Sequence, residues 1–174
     1  MKKYIFMILF FLFYGCSSTS NNTTPIVSTY KPNGIKIKYL SSKDLNYFEN
    51  ESHTLLLVIY QLQDKNMFEE LCNTQNGINV LLKGNLASKS VLGVNKKIIF
   101  PNTNGIITED KLNNAKYIGI VAGFYKKPQC LLIPLKVKNK YFSSIKFWKP
   151  KKVVENLNAK IKLYRDNIQL IKDH

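Results

Sequence analysis

Seven stretches of the chain carry the alternation or the short apolar runs of β-strands. Residues 35–39, Ile-Lys-Ile-Lys-Tyr, alternate strictly, which predicts a strand with one wet face. Residues 55–60 are unbroken apolar and partly β-branched, the pattern of a central strand. Residues 98–100 form a short strand ended by Pro101-Asn102. Residues 117–124, Y-I-G-I-V-A-G-F, are a second buried run in which Gly119 and Gly123 permit close backbone approach. Pro134 interrupts residues 131–137, so that stretch is an edge strand or carries a bulge. Residues 159–164 and 168–172 flank Arg165-Asp166-Asn167 and predict a closing hairpin. Two short helical pieces fit between strands. One begins at Asp64 as N-cap and turns Met67, Phe68 and Leu71 inward. The other starts after Thr108 and carries Leu112. Residues 73–95, rich in Asn and Gly, predict a packed irregular or helical excursion anchored by Val80-Leu81-Leu82 and Val91-Leu92. The sum is a mainly all-β domain, an antiparallel β-sandwich with a short helical addition.

The N-terminus has a different grammar. Lys2 and Lys3 precede the apolar run Y-I-F-M-I-L-F-F-L-F-Y. That run falls short of the roughly 20 residues a membrane-crossing helix needs, and it fits the apolar core of a secretory signal. Gly15-Cys16-Ser17-Ser18 follows it and resembles the lipobox of bacterial lipoproteins. The resemblance implies that residues 1–15 are removed and that Cys16 is acylated, with outer-membrane lipid as its partner. Ser17, in place of Asp, points to the outer membrane over the inner one. The alternative is an ordinary signal peptide with an incidental Cys16. Residues 16–33, mostly small and polar, read as a tether, because few side chains there can offset the entropy of ordering. Residues 34–174 are left as one domain.

Charge changes the picture only in part. The formal charge is +15, and it is +13 once Lys2 and Lys3 leave with the signal. So basic a chain raises nucleic acid as a partner, but an exported protein does not meet a genome, and most of its lysines are scattered. They read as a solvated surface, with contact to anionic lipid headgroups as the alternative; residues 136–152 are the densest Lys segment and the best local candidate for it. Beyond Cys16, Cys72 and Cys130 remain. In an oxidising compartment they form either a disulfide or two buried thiols. No C-x-x-C occurs. His53 and His174 are the only histidines, and Asp44, Glu49 and Glu51 lie along one loop instead of being paired across a cleft. No triad, metal site or cofactor is therefore expected, and no enzyme. Gln61, at a strand end, reads as a solvated residue.

Three motifs in order suggest a family. Leu57-Val-Ile-Tyr-Gln-Leu62 is followed by Phe68, and later comes Ala115-Lys-Tyr-Ile-Gly-Ile-Val-Ala-Gly-Phe124. With Leu45-Asn46 before them and Cys16 ahead, the chain resembles the type VI secretion outer-membrane lipoproteins, the TssJ family, over most of residues 34–172. The resemblance implies a transthyretin-like sandwich and no catalysis. It also implies a role in anchoring the periplasmic domain of the inner-membrane partner TssM to the outer membrane. Other classes that fit are a pilot lipoprotein for a secretin and a lipid- or ligand-binding sandwich.

The resemblance also places a site. Residues 41–53 join two strands that a hairpin would join with two to five residues. The segment Asp44, Leu45, Asn46, Tyr47, Phe48, Glu49, Asn50 and Glu51 sets three large apolar side chains among polar ones, a composition suited to a protein interface. In the resembled family this loop contacts TssM. The alternative is that Tyr47 and Phe48 fold back onto the sandwich. If the loop is a free projection, residues 45–51 can be exchanged for a short Gly-Asn turn without loss of the fold.

Overall fold

A computed structural model describes residues 26–140 and 151–171; the expected signal over residues 1–15, Cys16 and residues 141–150 of the Lys-rich segment lie outside the described residues. Its elements run β1 (Ile26–Val27), β2 (Lys31–Ser41), β3 (Leu55–Leu62), α1 (Asn66–Cys72), α2 (Gln75–Lys83) and β4 (Val91–Ile99). They continue as β5 (Asn104–Lys111), β6 (Tyr117–Ala122), β7 (Gln129–Pro134), β8 (Val137–Lys140), β9 (Lys151–Val154), β10 (Leu157–Leu163) and β11 (Ile168–Ile171).

Strand β3 organises these elements because it is buried on both faces. Leu55, Leu57 and Ile59 face one apolar cluster, and Val58, Tyr60 and Leu62 face another. The first cluster lies between two four-stranded sheets of order β11-β10-β2-β5 and β4-β3-β6-β7. Ile35 and Ile37 of β2 reach it from the opposite sheet, as do Ile161 and Leu163 of β10. The second cluster lies on the outer face of β3 and β6, under the two helices. Phe68 is its centre, 1% exposed, with its ring 5.7 Å from that of Tyr60. Gly119 makes room for it: a Cβ there would stand 2.5 Å from the Phe68 ring. The Tyr60 hydroxyl donates to Leu81 O, and burial pushes its pKa up to about 12. A bond between Cys72 and Cys130 (Cα–Cα 6.0 Å) ties the end of α1 to β7.

Within the two four-stranded sheets the described strands pair antiparallel with one exception: β10 lies parallel to β2, Ile35 opposite Leu157 and Ser41 opposite Leu163. Several details depart from the sequence reading. Residues 104–111 are a strand and not a helix: Gly105, Ile107, Glu109 and Lys111 are buried or half-buried, and Asn104, Ile106, Thr108 and Asp110 between them are exposed, a period of two. Val91-Leu92 opens β4; Gly93, Asn95, Lys96 and Lys97 on this edge strand hide its pattern, whereas α2 matches the expected helical excursion. Asp64 does not cap α1 from the N-cap position, which is Lys65; its Oδ1 accepts from Asn66 N instead. Gln61 is 5% exposed. Its amide donates to Asp110 O at 2.8 Å and accepts from Leu112 N at 2.9 Å, clamping the two sheets together at that end. Ordered chain also begins before residue 34. Ser28 Oγ donates to Ala115 O (2.6 Å), and the Tyr30 hydroxyl donates to Asp110, so loop 110–115 supplies the partners that a free tether would lack.

Candidate partner-binding end of the sandwich

The connection between β2 and β3 emerges at one end of the sandwich, beside the β4–β5, β6–β7 and β10–β11 turns. Ser41 Oγ fixes the first of these, accepting from Thr103 N (2.8 Å) and donating to Phe100 O (2.7 Å). Ser42 N then donates to Leu163 O and Tyr47 N to Arg165 O. Leu45 is fully buried and joins the inter-sheet core. Asn46, 3% exposed with φ 49°, suits the left-handed region better than most residues. Its amide donates to Thr54 O (2.7 Å) and accepts from Tyr125 N (2.8 Å). The loop is therefore not a free projection. An exchange of all of residues 45–51 would remove core, so only its tip is replaceable.

The tip is a tight reversal. Phe48 and Glu51 exchange backbone hydrogen bonds at 2.9 and 3.0 Å, and the residues between them, Glu49 (φ 49°) and Asn50 (φ 67°), both take positive φ. That is the handedness that fits a two-residue hairpin. Phe48 is thereby held outward, 44% exposed, and stacks on Tyr125, which is 60% exposed, with centroids 5.3 Å apart. His53 packs edge-on against the same Tyr125 ring at 5.0 Å. The Arg165 guanidinium lies 4.1 Å over the Tyr47 ring, a cation–π contact that holds both side chains in place. Phe100, 60% exposed, stands at the same end.

Of the residues singled out in sequence, Leu45 and Asn46 thus hold the loop from within. Tyr47 is half-buried, and Asp44, Phe48, Glu49, Asn50 and Glu51 face solvent. Tyr125, His53, Arg165 and Phe100 join them only in the fold. For two of them the available signal was an aromatic within three residues of a strand end, Phe100 before Pro101 and Tyr125 before Lys126-Lys127. Among the described residues no group of three or more His, Cys, Asp or Glu side chains could hold a metal ion.

Ordered aromatic side chains held outward on tied loops at one end of a β-sandwich are the kind of residue that dominates protein interfaces. Residues 33–140 match the family model T6SS-SciN, described as "Type VI secretion lipoprotein, VasD, EvfM, TssJ, VC_A0113", and the chain belongs to that family. No curated protein matches it in sequence. In fold it is similar to the T6SS lipoprotein TssJ1 from Pseudomonas aeruginosa, with a TM-score of 0.54 and 14% identity over 82% of this chain and 95% of that one. It is also similar to Serratia marcescens Lip, a membrane-bound component of the type VI secretion system, with a TM-score of 0.56 and 14% identity over 80% and 98%. A chain solved under the description "T6SS protein TssM C-terminal domain" from EAEC gives a TM-score of 0.58 at 13% identity over 80% and 98%.

Proposed function

We propose that this lipoprotein is the outer-membrane component of a type VI secretion membrane complex. In this reading acylated Cys16 holds it in the lipid, and the aromatic end binds the periplasmic domain of TssM. One observation carries the proposal: the two ends of the sandwich are separate. Residue 26, where the chain enters from Cys16, lies beyond the start of β2. The Phe48–Tyr125 surface lies beyond its other end: Lys31 to Leu40 faces Lys111 to Asn104 of β5, seven steps or roughly 23 Å at 3.3 Å per residue. A sandwich tethered at one end presents the other to a partner arriving across the periplasm. The exposed segment Asp44, Phe48, Glu49, Asn50 and Glu51, with Tyr125, is the contact surface. Its role is to link two membranes mechanically, without catalysis.

The test is titration calorimetry of the full chain against the periplasmic domain of TssM. Phe48→Ala with Tyr125→Ala should weaken binding by about 30-fold or more, the scale of a hot-spot residue, with the thermal unfolding of the domain unchanged. Undiminished affinity of that variant, or recovery of a secretin in place of TssM from native membranes, overturns the proposal. Cys16→Ser should release the chain from outer-membrane fractions.

A further inference from the structure

The opposite end of the sandwich is built differently. A cavity of about 1030 Å³ opens there, between the start of β2, the ends of β5 and β7, and the β8–β9 ribbon. Lys31, Lys111, Lys136 and Lys138 line it, against a single carboxylate, Glu155, which Lys138 pairs at 2.6 Å. Lys111 is 2% exposed, and its ammonium donates to two backbone carbonyls, Val154 O at 2.7 Å and Glu155 O at 3.5 Å. The floor is apolar, with Ile133 and Leu157 buried beneath the lysine stems. A cationic rim over an apolar floor suits a ligand with the same two parts, a phosphate and a hydrocarbon root.

Topology says what lies near this end. β1 runs parallel to β9, Ile26 opposite Lys152, and β8 pairs antiparallel with β9. The three-stranded ribbon β1-β9-β8 therefore contains the first described residues, so the chain that follows Cys16 joins the fold at this end. Nine residues lie between Cys16 and Ile26, ten peptide steps with a reach of at most about 35 Å. We propose that this lysine-lined end is a second membrane contact, whose groove takes the phosphate-bearing headgroup of an anionic lipid from the bilayer that holds the acyl anchor. The proposal rests on the lipid-anchor reading for the position of the bilayer, and on the groove's charge for the choice of lipid. Its reach is short, since salt at physiological strength screens exposed charge beyond about 8 Å, so the contact forms only when the ribbon lies on the surface.

The experiment uses the full acylated chain in two sets of vesicles, phosphatidylcholine alone and phosphatidylcholine mixed with phosphatidylglycerol. Flotation reports the anchor, and amine labelling read by mass spectrometry reports the lysines. Labelling of Lys31, Lys136 and Lys138 should fall about fivefold on the anionic vesicles, the scale expected for one lysine at an anionic surface. It should recover in high salt, while Lys43 at the aromatic end is unchanged. Lys152, on β9 of the same ribbon, should be protected with them in the native chain; in the combined variant Lys31→Gln, Lys136→Gln and Lys138→Gln, flotation should persist and that protection of Lys152 should be lost. Equal labelling on both vesicles, with flotation intact, overturns the lipid contact and leaves the anchor standing. Failure to float on neutral vesicles overturns the anchor, and the labelling on anionic vesicles still decides the groove. Equal protection by inorganic phosphate on neutral vesicles makes the groove a soluble-phosphate site and overturns the lipid assignment.

Discussion

The two ends of this sandwich divide its charge unevenly. At the aromatic end Lys43, Lys126, Lys127 and Arg165 are met by Asp44, Glu49, Glu51 and Asp166, with Lys126 paired to Asp166 at 2.9 Å. At the lysine end four lysines line a cavity with one glutamate. The basic excess thus includes a local concentration at one end, while lysines along the strands, among them Lys36, Lys38, Lys96 and Lys97, spread the rest. The construction differs too. Short hydrogen-bonded loops present rings at one end, where the proposed recognition would work through close packing that salt hardly touches. Strand termini present ammonium groups at the other, where attraction is longer in range and fades with salt.

The largest effect expected is one that should not distinguish the ends. Phe68→Ala leaves a cavity beside Gly119 and should lower stability by about 3–5 kcal/mol in urea unfolding. Both surfaces share the β3 and β6 scaffold, so each should lose function only through unfolding. A selective loss at one end would break the idea of a common core. Next comes Asn46→Ala, which orphans Thr54 O and Tyr125 N and should cost about 1–3 kcal/mol. Partner affinity should fall in the same variant, while vesicle flotation should not, because only the aromatic end relies on that amide for its order.

Glu109 sharpens the contrast with Asn46, a buried polar group whose partners are complete. Its Oε1 is buried without a hydrogen-bond partner. Burial pushes the carboxyl above its ordinary 4.5, against the opposing pull of Asn95, Gln61 and Lys97. The folded state therefore holds this proton more tightly than the unfolded chain. Above the folded value the ionised group weakens the fold, and the penalty disappears as pH falls through the raised value towards 4.5. Glu109→Gln should accordingly raise the unfolding midpoint at neutral pH, with the gain shrinking as pH is lowered and gone below the ordinary value. A gain that grows towards acid would reverse this assignment. Smallest of all, Glu49→Gln with Glu51→Gln should change partner affinity by no more than about 1 kcal/mol, as expected for exposed charges. A larger effect would mean that charge, and not ring packing, governs the aromatic end.

What sequence pattern revealed follows burial. The strands over 35–39, 55–60 and 117–124 announce themselves because one or both faces are wholly apolar, and the closing hairpin because three turn residues separate two apolar runs. β4 and β5 are the edges of their sheets, where polar and glycine residues are tolerated on the open side and blur the period. Gln61 misleads because its two partners, Asp110 and Leu112, come from a strand that local pattern did not reveal. The loop over 44–51 was legible as a segment, yet its inward half was not. Leu45 and Phe48 look alike in sequence and differ only in that Leu45 meets the inter-sheet core. The lysine groove was legible only as a dense Lys segment; its walls come from residues near 31, 111, 136 and 155, which only the folded topology brings together.

The parallel pairing of β2 with β10 has a consequence for the order in which the molecule can be finished. A chain exported from its N-terminus delivers β2 early and β10 among its last residues, and Ile161 and Leu163 are missing from the core until then. The loop that carries Phe48 waits as well, since Ser42 N and Tyr47 N hang on the carbonyls of Leu163 and Arg165. A chain cut short before the final hairpin has every residue of that loop and nothing to fasten it to. The proposed recognition surface therefore sets only after the β10–β11 hairpin has joined the sandwich, and an ordered loop reports that this hairpin is in place.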